Sequence, residues 1–135
     1  MDPSASIDVS ASGLRAQSLR MRVIAGNLAN ADSLATTPGG EPYRRKVATF
    51  EAEVDRVTGS GGVRVRSVEP DRSAFERVYQ PGNPAADPSG YVLKPNVDTI
   101  IEAADMKAAQ RSYEANLNAI EAARTLTNRT IDLLK

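Results

Sequence analysis

The chain has 135 residues, one domain's worth, and with no Trp, two Phe and four Tyr it lacks the aromatic bulk for a large compact core. Seventeen Lys and Arg balance seventeen Asp and Glu, which leaves no net field to hold nucleic acid or an anionic membrane by charge alone. Cys and His are both absent; thiol nucleophiles, imidazole bases and the usual zinc ligands go with them, so no metal or cofactor is expected.

The start, Met1-Asp2-Pro3-Ser4-Ala5-Ser6, has neither the basic region nor the apolar run of a secretory leader. No stretch reaches the ~18 apolar residues needed to span a bilayer. A helix is predicted from about Ser4 to Asn30, with Asp2 placed to cap it and Pro3 suited to its first position. At about 100° per residue, Ile7, Leu14, Met21 and Leu28 share one line, and Val9, Ala16, Leu19 and Val23 lie opposite. Gly13 and Gly26 interrupt this helix at roughly 1 kcal/mol each relative to Ala. Close approach of another backbone accounts for them, and so does a kink or frayed turn. Asn30 suits a C-cap in the left-handed conformation.

The basic clusters Arg20/Arg22 and Arg44/Arg45/Lys46 read as solvated faces. Strands are predicted at Arg45 to Glu53, Val63 to Val68 and Phe75 to Tyr79, separated by Gly- and Pro-rich turns at 37–40, 59–62 and 81–84. About four short strands make a small β module. Pro81 to Pro95 carries four prolines and Gly90 and reads as an extended, stiff strap lying along neighbouring helices.

The second helical pattern runs from about Asp98 to Leu134. Asp98 is a good cap, and Thr99-Ile100-Ile101-Glu102 also reads as a capping box. One face carries Met106, Ala109, Tyr113, Leu117, Ile120, Ile131 and Leu134. The reverse face is small, with Ile101, Ala104, Ala108, Ala115, Ala119 and Ala122 leading to Leu126 and Leu133. A helical hairpin within the chain explains one stripe per helix, whereas two stripes ask for neighbouring molecules. The terminal segments of a free monomer are therefore expected to be largely disordered and to fold on assembly.

Catalysis has little to work with. Glu51 and Glu53 alternate on one strand face, and Asp71 and Asp87 sit in turns, but no aromatic pocket accompanies these carboxylates as glycoside cleavage would need.

Ser12-Gly13-Leu14, leading through Ala25-Gly26-Asn27-Leu28-Ala29-Asn30-Ala31-Asp32-Ser33, resembles the N-terminal signature of bacterial flagellar rod and hook axial proteins. Pro42-Tyr43-Arg44-Arg45, Val78-Tyr79-Gln80-Pro81-Gly82-Asn83-Pro84, Gly90-Tyr91-Val92 and Pro95-Asn96-Val97-Asp98 narrow the likeness to the basal-body rod protein C family of the proximal rod. Arg111-Ser112-Tyr113-Glu114-Ala115-Asn116 is similar to that family's C-terminal helix, so the resemblance spans nearly the whole chain. Ser33 departs from the Thr of many relatives, and the turn at 34–41 is not diagnostic.

The resemblance implies a mainly α fold in which long terminal helices pair as an antiparallel-type coiled coil around a small β/loop middle. The expected divisions are 1–33, 34–96 and 97–135. It implies a non-enzymatic structural subunit of the periplasmic rod that transmits torque and is exported through the flagellar type III apparatus without cleavage. Partners would be further copies, other proximal and distal rod proteins, a base-of-rod adaptor and the export apparatus, with no nucleic acid and no small-molecule substrate. The helix seam would be formed by Ile7, Leu14, Met21, Leu28, Met106, Tyr113, Leu117, Ile120, Ile131 and Leu134. The second faces are Val9, Leu19, Val23, Ala104, Ala108, Ala115, Ala119, Ala122 and Leu126. Asn27 and Asn30 carry the axial motif, and Pro81, Gly82, Asn83, Pro84, Tyr91, Pro95 and Asn96 the strap. The alternative reading is a helical oligomeric adaptor unrelated to motility, which would form a closed assembly of fixed mass.

Overall fold

A computed structural model describes residues 2–135; Met1, the first residue of the expected N-terminal segment, lies outside the described residues. The order is α1 (Pro3–Ala29), β1 (Lys46–Val54), β2 (Gly61–Pro70), β3 (Glu76–Tyr79), β4 (Tyr91–Lys94) and α2 (Thr99–Leu133). The fold is thus mainly helical with a β middle. The strands form two separate two-stranded sheets, β1 with β2 and β3 with β4.

Both helices begin on aspartate caps. Asp2 Oδ1 accepts from the Ser4 N–H at 3.1 Å, and Asp98 Oδ1 accepts from the N–H groups of Ile100 and Ile101 at 3.0 and 3.3 Å. These bonds satisfy donors that have no partner within the helix. The expected capping box at Thr99 does not form. Glu102 is fully buried and bonded elsewhere, since a lone buried carboxylate costs more than a cap returns. Asn30 closes α1 without the left-handed conformation: no non-glycine residue has positive φ among the described residues. Its side-chain N–H donates to Gly26 O at 2.9 Å instead.

The chain divides into two compact units. The first holds α1 up to Met21, Ala48–Ser67 and Lys107–Lys135. Its buried apolar residues are all small: Ala16, Ala109 and Ala123. Ser12 ties α1 to β2, its Oγ donating to Val9 O at 2.6 Å and accepting from the Val63 N–H at 3.0 Å. Gly13 is there for close approach, because a Cβ on it would fall 2.6 Å from Asn116 Nδ2. The turn joining β1 to β2 is built on Asp55, whose Oδ1 takes the N–H groups of Val57 and Thr58 at 2.7 and 3.1 Å. Those bonds hold its carboxyl below the ordinary range.

The second unit comprises Arg22–Val47 and Val68–Met106. Ile24, Ala85 and Val92 are its buried apolar residues. β3 and β4 pair antiparallel, Glu76 opposite Lys94 and Tyr79 opposite Tyr91. The stretch expected to run extended from Pro81 therefore doubles back. Gly90, at φ 85°, makes the return possible, and Asp87 Oδ1 fixes it by accepting the Tyr91 N–H at 2.9 Å. Gly26, by contrast, has open space where a Cβ would sit.

Candidate functional site

The most connected cluster in the chain lies in the second unit, around the backbone of Arg45 and Lys46. Asn27 is held at 1% exposure on α1. Its Oδ1 accepts from the Lys46 N–H at 3.0 Å while its Nδ2 donates to Lys46 O at 2.8 Å. One carboxamide thus replaces the strand neighbour that the first residue of β1 lacks. Asn96 does the converse at the preceding residue. Its Oδ1 accepts the Arg45 N–H at 2.7 Å, and its Nδ2 donates to the carbonyl oxygens of Asp71 and Ser73 at 3.0 and 3.2 Å.

Between these two clamps the charges converge. The Arg45 guanidinium bonds the Glu102 carboxylate and lies 3.1 Å from Asp71 Oδ2 and 3.7 Å from Asp105 Oδ2. The Glu102 side chain is 1% exposed against 22% for that of Arg45, so the carboxylate depends on its partners for solvation. Asn27 Nδ2 also donates to Glu102 Oε2 at 3.2 Å, and the Tyr43 hydroxyl donates to Asn27 Oδ1 at 2.8 Å. Glu102 holds the guanidinium above its ordinary value, with Asp71 adding to it. Burial, then the nearby Glu102 charge, pushes the Tyr43 hydroxyl up. The Asp71 carboxyl is held low by the Ser73 bonds first and Arg45 after them.

This clasp ties segments of one chain to each other. Every carboxylate in it already faces a guanidinium, amide or hydroxyl of the same unit, and the expectation that Arg45 is solvated is overturned by those three acidic neighbours. Among the described residues no group of three or more potential ligands is placed to hold a metal ion. In the first unit a cleft of about 410 Å³ is lined by Asp8, Arg15, Glu53, Asp55 and glycine backbone. Of the carboxylates the middle segment offers for catalysis, Glu51 pairs with Arg64 at 2.5 Å, Glu53 lines the cleft, Asp71 belongs to the clasp, and Asp87 caps the β3–β4 return.

On α1, Ile7, Leu14, Met21 and Leu28 are half-buried, as are Leu19 and Val23, while Val9 is exposed. The most buried face runs alongside the second line and shares Ala16 with it, through Ser12, Gly13, Ala16, Ile24 and Asn27. On α2, Met106, Tyr113 and Ile120 are half-buried; Leu117 and Ile131 are exposed, as is Leu134 just past its end. The Ala104, Ala108, Ala115, Ala119, Ala122 and Leu126 face is also exposed. The most buried positions of α2 keep a seven-residue step, Glu102, Ala109, Asn116 and Ala123. Of the strap residues, Pro95 is buried, Asn83, Tyr91 and Asn96 are half-buried, and Pro81, Gly82 and Pro84 are exposed. Tyr43, Arg45, Asp71 and Glu102 were missed as a group; the Pro42-Tyr43-Arg44-Arg45 motif held two of them, but nothing local links it to Glu102, 57 residues on.

Comparison with known proteins accounts for both helical ends. Residues 7–33 match the family described as flagella basal body rod protein, and residues 89–133 match the C-terminal family of flagellar basal body rod FlgEFG proteins. The class is therefore that of the flagellar rod proteins, which are structural components and not enzymes. Over its full length the chain is 52% identical to the flagellar basal-body rod protein FlgC of Agrobacterium fabrum, covering 98% of that relative. It is 43% identical to that of Salmonella typhimurium, with 93% of each chain covered. Against that of Bacillus subtilis it is 39% identical, over 96% of this chain and 97% of the relative. The chain belongs to the flagellar basal-body rod protein FlgC family and is a structural subunit of the rod.

Proposed function

We propose that this subunit builds the proximal rod by pairing α1 and α2 as an antiparallel coiled coil, leaving the outer helix faces to neighbouring rod subunits. The equal spacing of two helix-to-helix anchors carries this reading. Gly13 faces Asn116, and Asn27 bonds Glu102; the anchors stand 14 residues apart on α1 and, in the reverse direction, 14 apart on α2. Two heptads on each helix is the spacing an antiparallel coiled-coil seam requires. The seam is then close and small, and the larger Leu14, Met21, Tyr113 and Ile120 flank it, half-buried, where further helices would complete their cover.

The subunits contact one another head to tail or side to side without closing, which generates a helical tube. Torque passes along that tube through packed side chains. Residues 1–33 and 97–135 form its helical layer, and residues 34–96 lie outside it, with Pro81, Gly82 and Pro84 facing neighbours. The family resemblance supports export through the flagellar type III apparatus, a periplasmic position and contacts with other rod proteins and a base-of-rod adaptor.

Leu117 tests the assembly role, because at 41% exposure it is not needed to fold the single chain. Leu117→Asp should leave the protein soluble and expressed while abolishing rod formation and swimming. A fully motile strain making that variant would refute the proposal.

A further inference from the structure

We propose that the pair of half-buried Arg45 and buried Glu102 sets the register of α1 against α2, a role that rests on the antiparallel pairing proposed above. Buried Glu102, Ala109 and Ala123, with half-buried Asn116 between the last two, repeat every seven residues along α2. Repetition of this kind permits slip. Moving α2 by one heptad would set Ala123 against Gly13 and Ala109 against Asn27, and alanine fits both places without steric objection. Asn116 does little to resist the move, since its own Nδ2 is bonded within α2, to Ser112 O at 2.9 Å.

Of these four repeat positions, only Glu102 carries a charge that distinguishes the two arrangements chemically. In the observed register its carboxylate meets Arg45 and Asn27 Nδ2. In the slipped register it would stand beyond the end of α1, parted from both. Arg45 cannot follow it, because the next residue, Lys46, is held to α1 by both ends of the Asn27 carboxamide. The slipped state therefore leaves a guanidinium and a carboxylate without each other, whereas alanine at both anchor points raises no objection to it. A buried polar group that selects one alignment from several sterically equivalent ones is the best-attested use of such pairs.

The absence of cysteine makes the register directly measurable. Continuing the anchor spacing along both helices places Ser6 opposite Ala123 in the observed alignment and opposite Thr130 after a one-heptad slip. Full-length chains carrying Ser6→Cys with Ala123→Cys, or Ser6→Cys with Thr130→Cys, would be oxidised in isolated basal bodies and scored for the intrachain disulfide. In the otherwise native background only the first pair should cross-link. Arg45→Met with Glu102→Met replaces both charges together and leaves no orphan; in that background the second pair should cross-link as well. A double variant that still cross-links only through Ala123→Cys would overturn the register role. So would one that forms no rods at all, since the pair would then be a requirement for folding rather than for alignment. Failure of the first pair in the native background would sink the antiparallel reading itself, which separates the two outcomes.

Discussion

Asn27 uses both ends of one carboxamide, and the identity of each end matters. Its oxygen accepts from Lys46 N–H and Tyr43 hydroxyl, and its nitrogen donates to Lys46 O and Glu102 Oε2. Asn27→Ala leaves the Lys46 backbone groups unpaired, at about 1–3 kcal/mol for each group that water cannot reach. Asn27→Asp should be worse despite its closer shape. It turns the two donor contacts into a carboxylate facing a carbonyl and a second carboxylate, and like charges held that near cannot both ionise cheaply. Purified rods of the Asp variant should melt below those of the Ala variant at neutral pH; the reverse order would show that Asn27 acts by volume alone. Asn27 and Asn30 stood out in the sequence because the motif Asn-Leu-Ala-Asn is contiguous. Glu102 did not, because it lies 75 residues from Asn27 and 57 from Arg45, and its local setting supplies a sufficient but wrong explanation as a capping partner.

The helices were legible as elements because their information is local: caps at Asp2 and Asp98, apolar periodicity between, and no internal proline after the first position. β1 to β3 are legible to within a few residues because Gly- and Pro-rich turns bracket them. β4 was not located, since its four residues Tyr91–Lys94 sit inside a proline-rich stretch that reads as extended. What converts that stretch into a hairpin is one glycine. A Cβ at Gly90 would fall 2.8 Å from Tyr79 Cε2 and 3.1 Å from Pro81 Cβ, and its φ is positive. Tyr79 in turn packs edge-on against Tyr91 at 5.2 Å between centroids, with Arg77 over the Tyr91 ring. Gly90→Ala should therefore cost more than Gly59→Ala. Both residues have positive φ, a strain of about 1–3 kcal/mol for a residue with a side chain, but only Gly90 also meets side chains. Comparing the thermal midpoints of rods assembled from each variant checks the order, and equal midpoints would mean that the Tyr79 ring moves aside freely.

For the chain as a whole, the buried apolar residues among those described are Ala16, Ile24, Ala85, Val92, Ala109 and Ala123. None is aromatic and four are alanine, while Leu126, Ile131, Leu133 and Leu134 are all at least half exposed. Burial on this scale cannot offset the backbone entropy of ordering two long helices, about 1–2 kcal/mol per residue, and helix pairs without further cover are marginal in water. The helices hold 27 and 35 residues, 62 in all, yet the dilute monomer should show well under that helical content by circular dichroism. Helicity should rise as subunits are added to rod seeds, because each neighbour supplies apolar cover for the exposed faces of α2. A dilute monomer already as helical as the assembled form would mean that the chain folds on its own. The exposed leucines and alanines would then be a docking surface presented by a rigid subunit, and assembly would proceed by docking of preformed parts rather than by coupled folding.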